Sequence, residues 1–426
     1  MDVTISKSEL KGSVKAPPSK SISHRAIIAS SLSKGQSIIY NIAYSKDILA
    51  TIDAMENFGV EFIKNDDLLV INSKELTIKE SYFNCQESGS TLRFTIPIAL
   101  SIGGEFIFDG YESLKKRPVN VYKSIYDKDD IFNEKLSNNH LPLLLRGKLL
   151  GDTYNIVGDV SSQFISGMIF GLANLKNINK KKIVISNKME SKAYIDLTIE
   201  VLKKYGVEVL NNNYESFEIV KDTFEACDFV VEGDFSQVAF FVLAGAIGEK
   251  VSVSNLNLKS IQGDREIINI AKKFGIRVEE KEDEYIFYKS NTYGINIDIS
   301  EWPDLAPVIF ALGVISEGET IVNGISRLRI KESDRVLSMV TELTKLGANI
   351  CDCGEYVKII GNGDRVLKGG VTIETWNDHR VAMTLSVLST LCEEKVVIKD
   401  AECVEKSYKN FFNALKKLNC QLKISF

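Results

Sequence analysis

The stretch Pro17-Pro18-Ser19-Lys20-Ser21-Ile22-Ser23-His24-Arg25-Ala26 sets an ammonium, a hydroxyl and a guanidinium within six residues of one another. Two prolines hold the chain extended and keep a helix from starting earlier. Ser19 is the predicted N-cap of an almost wholly apolar helix over residues 22–32. Ser21 and Arg25, four apart, share one helical face. A helix N-terminus already offers free N–H groups and a positive dipole end. With Lys20, Ser21 and Arg25 added, such a mouth suits a phosphate or a carboxylate. A capped, buried helix with solvated charges at its start would use the same residue types, and this stretch alone does not separate the two.

The same pattern returns along the chain. Polar clusters precede apolar runs at Ser88-Gly89-Ser90-Thr91-Leu92-Arg93, Ser161-Ser162-Gln163, Gly233-Asp234-Phe235-Ser236-Gln237, Trp302-Pro303-Asp304 and Asn377-Asp378-His379-Arg380. Cations gather near these starts and at adjacent corners: Lys115-Lys116-Arg117, Ser191-Lys192-Ala193-Tyr194, residues 327–335 (Arg-Leu-Arg-Ile-Lys-Glu-Ser-Asp-Arg) and Lys406-Ser407-Tyr408. Each corner alone is an ordinary solvated surface. Their concentration in a chain of net charge −5 points instead to small ligands with several anionic groups. One ion pair at ~4 Å is worth about 4 kcal/mol at an effective dielectric of ~20, before desolvation. No phosphate-cradling glycine motif occurs, so nucleotides are not indicated.

Two carboxylates, Asp304 and Glu332, lie among the cations. Positive surroundings make them proton acceptors and reluctant donors, so an ammonium such as Lys20 is the more natural acid. In the plainer alternative Asp304 is a helix-start acid, and Glu332 pairs with Arg335 or Arg329 at i,i+3 spacing. Asp304 is expected to begin the fifth apolar helix. Neutral isosteres at Lys20 and Asp304, both at helix mouths, are expected to cost little stability.

The elements that must carry these residues form six supersecondary units, spaced by roughly 65–75 residues. Each has an apolar helix and a β-rich strand: Ile38-Ile39, Glu105-Phe106-Ile107-Phe108, Lys182-Ile183-Val184-Ile185, Val251-Ser252-Val253-Ser254, Thr320-Ile321-Val322 and Val396-Val397-Ile398. In several units an amphipathic helix follows. The second unit loses this regularity after Arg117, where residues 127–130 and Asn138-Asn139 predict loops. Helices apolar all round must be buried on every side, whereas alternating strands leave one sheet face wet. The expected class is α/β, with helices inside and sheets outside. Length allows two domains of three units each, and 44% apolar with 26% charged residues is ordinary globular composition. The net charge argues against nucleic acid as a partner, and no apolar run reaches membrane-spanning length. Seven scattered cysteines and three separated histidines predict no metal site and a reduced, cytoplasmic setting.

Taken together, the runs at residues 19–26, Glu87-Ser88-Gly89-Ser90-Thr91-Leu92-Arg93, Val160-Ser161-Ser162-Gln163-Phe164, residues 330–335 and Asn377-Asp378-His379-Arg380 closely resemble the EPSP synthase family. The resemblance covers essentially the whole chain in order. It implies a two-domain inside-out α/β barrel of six βαβαββ-type units. Residues 1–18 with 232–426 would form one domain and 19–231 the other, with the active site in a cleft between them. It implies the reaction of a 3-phosphoshikimate 1-carboxyvinyltransferase: enolpyruvyl transfer from phosphoenolpyruvate to the 5-hydroxyl of shikimate 3-phosphate, by addition and elimination. No metal or organic cofactor is implied, and a monomer is the expected state.

By the same resemblance Lys20, Gly89, Arg117, Gln163, Arg335, Arg380 and Lys406 would hold phosphoenolpyruvate. Ser21, Arg25, Ser161, Ser162, Gln163, Ser191, Tyr194, Asp304 and Lys331 would hold shikimate 3-phosphate. Asp304 would take the proton of the attacking hydroxyl, and Lys20 and Glu332 are the candidates for delivering protons. The herbicide glyphosate would occupy the phosphoenolpyruvate site. Gln86 and Glu87 depart from the family's usual Gly and Asn before Gly89, and Arg327 stands where an Asn that touches shikimate can occur. Within the same fold the alternative is UDP-N-acetylglucosamine enolpyruvyl transferase. That family is expected to carry a reactive loop Cys in its N-terminal half and an early Lys-Asn pair; in that half this chain has only Cys85, inside a strand-to-helix turn, and its early pair is Lys20-Ser21. A non-catalytic binder of anionic metabolites would explain the cations but not Asp304 and Glu332 among them.

Overall fold

The computed structural model describes the chain except residues 177, 179, 364, 365 and 426. It divides into two compact units, Pro18–Val231 and Met1–Pro17 with Glu232–Phe426.

Among the described residues, each unit holds three four-stranded sheets of one design. In the unit Pro18–Val231, Tyr82–Asn84 runs parallel to Gly104–Asp109, which lies antiparallel to Leu143–Gly147 and through it to Phe132–Lys135. A parallel pair needs a long crossover, and the helix Gly89–Ile102 supplies it. Thr153–Ile156 and Lys182–Ile185 repeat the parallel pair around the helix Ser162–Asn174. Gly35–Tyr40 takes its parallel partner, Phe229–Val230, from the far end of the unit.

The unit with both chain termini is closed in a similar way. Asp2–Ile5 lies antiparallel between Val396–Ile398 and Leu422–Ser425, and Lys11–Lys15 runs parallel to Lys250–Ser254. The first fifteen residues thus complete two sheets.

The crossover helices are buried along most of their length. All thirteen residues of Phe235–Ile247 and all ten of Ala306–Ile315 are shielded from water. The sheets alternate instead, as in Leu68–Ser73, so one face covers the helices and the other meets solvent. Helices lie inside and sheets outside, as the pattern of apolar residues requires.

Two expectations need correction. Asp304 does not begin the fifth helix, which starts at Ala306 with Pro307 in its first turn. Proline lacks an N–H and suits that position, while Asp304 stays in the preceding turn. Residues 127–130 are not wholly loop, because Lys123–Lys128 is a short helix that buries Ile125 and Tyr126. A strand, Phe132–Lys135, follows it.

Candidate active site

In the unit Pro18–Val231 the helix Lys20–Leu32 begins at Ser19, whose hydroxyl accepts from the Ile22 N–H. Lys20 Nζ pairs with Asp47 Oδ2 at 2.7 Å, and Asp47 lies in the first turn of the helix Lys46–Glu56. One turn on, buried Arg25 donates to Thr198 Oγ1 at 2.8 Å, to the Ser21 carbonyl at 2.7 Å and to the Tyr194 carbonyl at 2.9 Å. Burial lowers its pKa to about 10. Ser191 caps the helix Lys192–Lys204 with φ at 55°, a left-handed conformation uncommon outside glycine. Ser161 caps the helix Ser162–Asn174, and Ser162 is buried in its first turn.

The helix Gly89–Ile102 carries a second group. Arg93 Nη1 donates to Gln163 Oε1 at 2.5 Å, and Gln163 Nε2 donates to Ser90 Oγ at 2.9 Å. A methyl group at Gly89 would lie 2.9 Å from Arg93 Nη1, 2.9 Å from Arg117 Nη1 and 3.4 Å from Gln163 Oε1. Glycine lets two guanidinium groups close over this helix mouth, and a side chain here would push their tips aside. Burial, then the neighbouring Arg117, lowers the Arg93 pKa to about 9. Arg93 Nε, Arg117 Nε and Arg117 Nη2 are buried with no hydrogen-bond partner among the described residues. Buried donors are ordinarily paired, so like charges left in this state mark a place for an anion.

Local sequence explains how Arg93 is held. Pro97 has no N–H for the Arg93 carbonyl four residues earlier, and the buried Tyr122 hydroxyl donates to that carbonyl instead at 2.7 Å. Gly167 lets the neighbouring helix approach, since a methyl group there would sit 2.1 Å from the Arg93 carbonyl oxygen.

The other unit gathers the remaining charged positions differently. Asp304 accepts from Arg335 Nη1 at 2.8 Å and Arg380 Nη2 at 2.9 Å, with Lys331 Nζ at 4.0 Å. Arg335 Nε donates to Asp378 Oδ2 at 2.9 Å, and Asp378 also caps the helix His379–Leu388. Glu332 Oε2 meets His379 Nδ1 at 2.8 Å, and Lys406 Nζ donates to the Asn377 carbonyl at 2.6 Å. Burial alone would raise the Asp304 pKa, but Arg380, Lys331 and Arg335 outweigh it and hold the carboxyl well below the usual range. Burial likewise disfavours charge on Arg335, yet Asp378, Asp304 and Glu332 raise its pKa.

The chain matches the family model for EPSP synthase (3-phosphoshikimate 1-carboxyvinyltransferase) over residues 5–415. The chain belongs to the EPSP synthase family. It is 44% identical to a 3-phosphoshikimate 1-carboxyvinyltransferase of Clostridium novyi, covering 98% of this chain and 97% of that one. The corresponding protein of Clostridium kluyveri is 43% identical, over 99% and 98% of the two chains. Among solved structures, an EPSP synthase from Acinetobacter baumannii has a TM-score of 0.82 at 22% identity, covering 99% of this chain and 100% of that one, and shows the shared fold.

Lys20, Ser21, Arg25, Gly89, Arg117, Ser161, Ser162, Gln163, Ser191 and Tyr194 all lie in the unit Pro18–Val231, and Asp304, Lys331, Glu332, Arg335, Arg380 and Lys406 in the other. Sequence reasoning gives no sign of Asp47, and it marks Asp378 and His379 only as part of a helix start, without their partners. Their contacts join positions far apart in the chain, and an isolated Asp in a helix gives no signal of its partner. Arg93 stands in the sequence only as the end of a polar run, yet its guanidinium lies beside Gly89 and Gln163. Glu332 meets His379, and its charge also helps raise the pKa of Arg335, three residues on.

Proposed function

We propose that this member of the EPSP synthase family transfers the enolpyruvyl group of phosphoenolpyruvate to the 5-hydroxyl of shikimate 3-phosphate, releasing phosphate. The observation that carries the reading is the pair of buried guanidinium groups, Arg93 and Arg117, with unpartnered nitrogens at the glycine-backed mouth of Gly89–Ile102. That arrangement suits a compact dianion that presses on the backbone.

Phosphoenolpyruvate would take Lys20, Gly89, Arg117, Gln163, Arg335, Arg380 and Lys406. Shikimate 3-phosphate would take Ser21, Arg25, Ser161, Ser162, Gln163, Ser191, Tyr194, Asp304 and Lys331, so both units serve one reaction. The 5-hydroxyl oxygen attacks C2 of phosphoenolpyruvate, and its proton passes to Asp304. C3 receives a proton from Lys20 or Glu332, forming a tetrahedral phosphate ketal. Loss of a proton from the new methyl group then expels phosphate and restores the double bond.

A carboxylate held by two guanidinium groups is a weak base. We therefore assign Asp304 a conditional role. Phosphoenolpyruvate's carboxylate and phosphate compete for Arg335 and Arg380, which loosens their hold and raises the basicity of Asp304 once the reacting anion is bound.

The test is release of phosphate from phosphoenolpyruvate, followed with shikimate 3-phosphate, with UDP-N-acetylglucosamine and with neither. Turnover with shikimate 3-phosphate alone supports the reading. Turnover with the UDP-sugar would move the chain to the other enolpyruvyl transfer, and binding without any phosphate release would leave only a metabolite binder.

A further inference from the structure

Beneath the proposed phosphoenolpyruvate groups of the unit Pro18–Val231 lies a row of buried hydrogen bonds joining three helices. His24 Nδ1 is 2.7 Å from Thr51 Oγ1, Thr51 Oγ1 is 2.6 Å from Thr91 Oγ1, and Thr91 Oγ1 donates to Ser88 Oγ at 2.7 Å. Ser88 Oγ also accepts from the Thr91 N–H at 3.1 Å, as the N-cap of Gly89–Ile102. None of these four residues is more than 1% exposed.

The spacing gives the row its meaning. His24 is four residues after Lys20, Thr51 is four after Asp47, and Thr91 is two after Gly89. His24, Thr51 and Thr91 therefore sit about one helical turn, or less, beyond Lys20, its partner Asp47 and Gly89. The Lys20–Asp47 ion pair spans the starts of two of these helices. The hydroxyl row ties the same two helices to the start of Gly89–Ile102 from below.

Proton bookkeeping orients the row. Thr91 donates to Ser88, so its oxygen accepts from Thr51. Thr51 has then used its one proton on the 2.6 Å contact, its alternative acceptor being the Asp47 carbonyl at 3.5 Å. His24 must therefore donate through Nδ1–H. Its Nε2 is buried with no partner among the described residues, which fits a bare lone pair better than a stranded N–H. Burial lowers the His24 pKa to about 3, so the ring stays neutral.

We infer that the His24–Thr51–Thr91–Ser88 row is a positioning device that fixes the mouth of Gly89–Ile102 against Lys20. It sets affinity for phosphoenolpyruvate without touching it. This rests on the functional reading above. The shikimate 3-phosphate groups are less dependent on the row. Arg25 is held separately by Thr198 and the Tyr194 carbonyl, and Ser161, Ser162, Ser191 and Tyr194 stand on other elements.

Two measurements on the full chain test it. Thr91→Val keeps the side-chain shape and removes both hydroxyl contacts. It should raise the KM for phosphoenolpyruvate about tenfold, a hydrogen bond's worth, while the KM for shikimate 3-phosphate moves less than about twofold. Thr91→Ser should restore the wild-type value. Equal changes in both KM values, or a lowered Tm with neither KM changed, would overturn the positioning role. The second measurement needs no turnover. Nitrogen-15 spectra of the three histidines, with His24→Asn for assignment, should show neutral His24 as the Nδ1–H tautomer, and Thr51→Val should abolish that preference. An Nε2–H tautomer in the wild type would refute the row itself. A wild type that releases no phosphate but shows Nδ1–H at His24 would instead remove the functional reading and leave the row standing.

Discussion

Two regions, one in each unit, hold their guanidinium groups in opposite states. Around Gly89 the guanidinium groups of Arg93 and Arg117 lie side by side, with neutral Gln163 between helices and several nitrogens unpartnered. Around Asp304 the guanidinium groups of Arg335 and Arg380 are already engaged with carboxylates. An anion arriving at the first region relieves like-charge repulsion and satisfies stranded donors. One arriving at the second must displace an existing ion pair. The first region offers unpartnered donors to an anion, and in the second an anion must compete for donors already paired.

The largest effect that would break this comparison comes from Asp304→Asn. Turnover should fall by about two to four orders of magnitude, the usual contribution of a general base. Stability should also fall, by about 1–3 kcal/mol, because Arg380 and one arm of Arg335 lose their counter-charge while buried. This revises the expectation that a neutral isostere at a helix mouth costs little. Unchanged thermal unfolding of the variant would show that the ion pairs around Asp304 are not structural.

Arg117→Leu should behave the other way. Removing a buried charge that repels Arg93 should leave the unliganded protein as stable as wild type or more so. Its kcat/KM for phosphoenolpyruvate should nonetheless drop about 100-fold or more, the scale of a lost buried charge pair. A destabilised Arg117→Leu protein would erase the contrast between the units.

Much of this organisation was legible in the sequence. Ser19, Ser88, Ser161, Asp234 and Asp378 each cap the helix that their position before an apolar run announced. The fifth start misled because Pro303-Asp304 has the composition of a cap. Asp304 instead faces two arginines, and the helix begins at Ala306 without a side-chain cap. Contacts such as Lys20 with Asp47, or Glu332 with His379, were not legible, since residue types at 27 and 47 positions' separation carry no mark of their pairing. The Tyr122 hydroxyl answering the carbonyl freed by Pro97 was hidden for the same reason.

A smaller effect sharpens the account of the second region. Burial, then the charge of Asp304, raises the Asp264 pKa to about 6, and the Ser236 hydroxyl donates to its carboxylate. A raised carboxyl pKa means that the folded state holds a proton the unfolded state has released, so stability falls as pH rises from about 4 to about 6. Asp264→Asn, a mimic of the protonated form, should stabilise the protein more at pH 8 than at pH 5, by about 1–2 kcal/mol. Equal gains at both pH values would place the cost elsewhere than in charge.

The conditional basicity of Asp304 is tested most directly by its own titration. Carbon-13 spectra of aspartate-labelled protein, with Asp304→Asn to identify the resonance, can follow the carboxyl in the free enzyme and with shikimate 3-phosphate plus a non-reacting phosphoenolpyruvate analogue bound. The account predicts a carboxyl well below the usual range when free, rising by at least one unit when the analogue's anionic groups draw on Arg335 and Arg380. A titration that does not move, or that moves further down on binding, would contradict it.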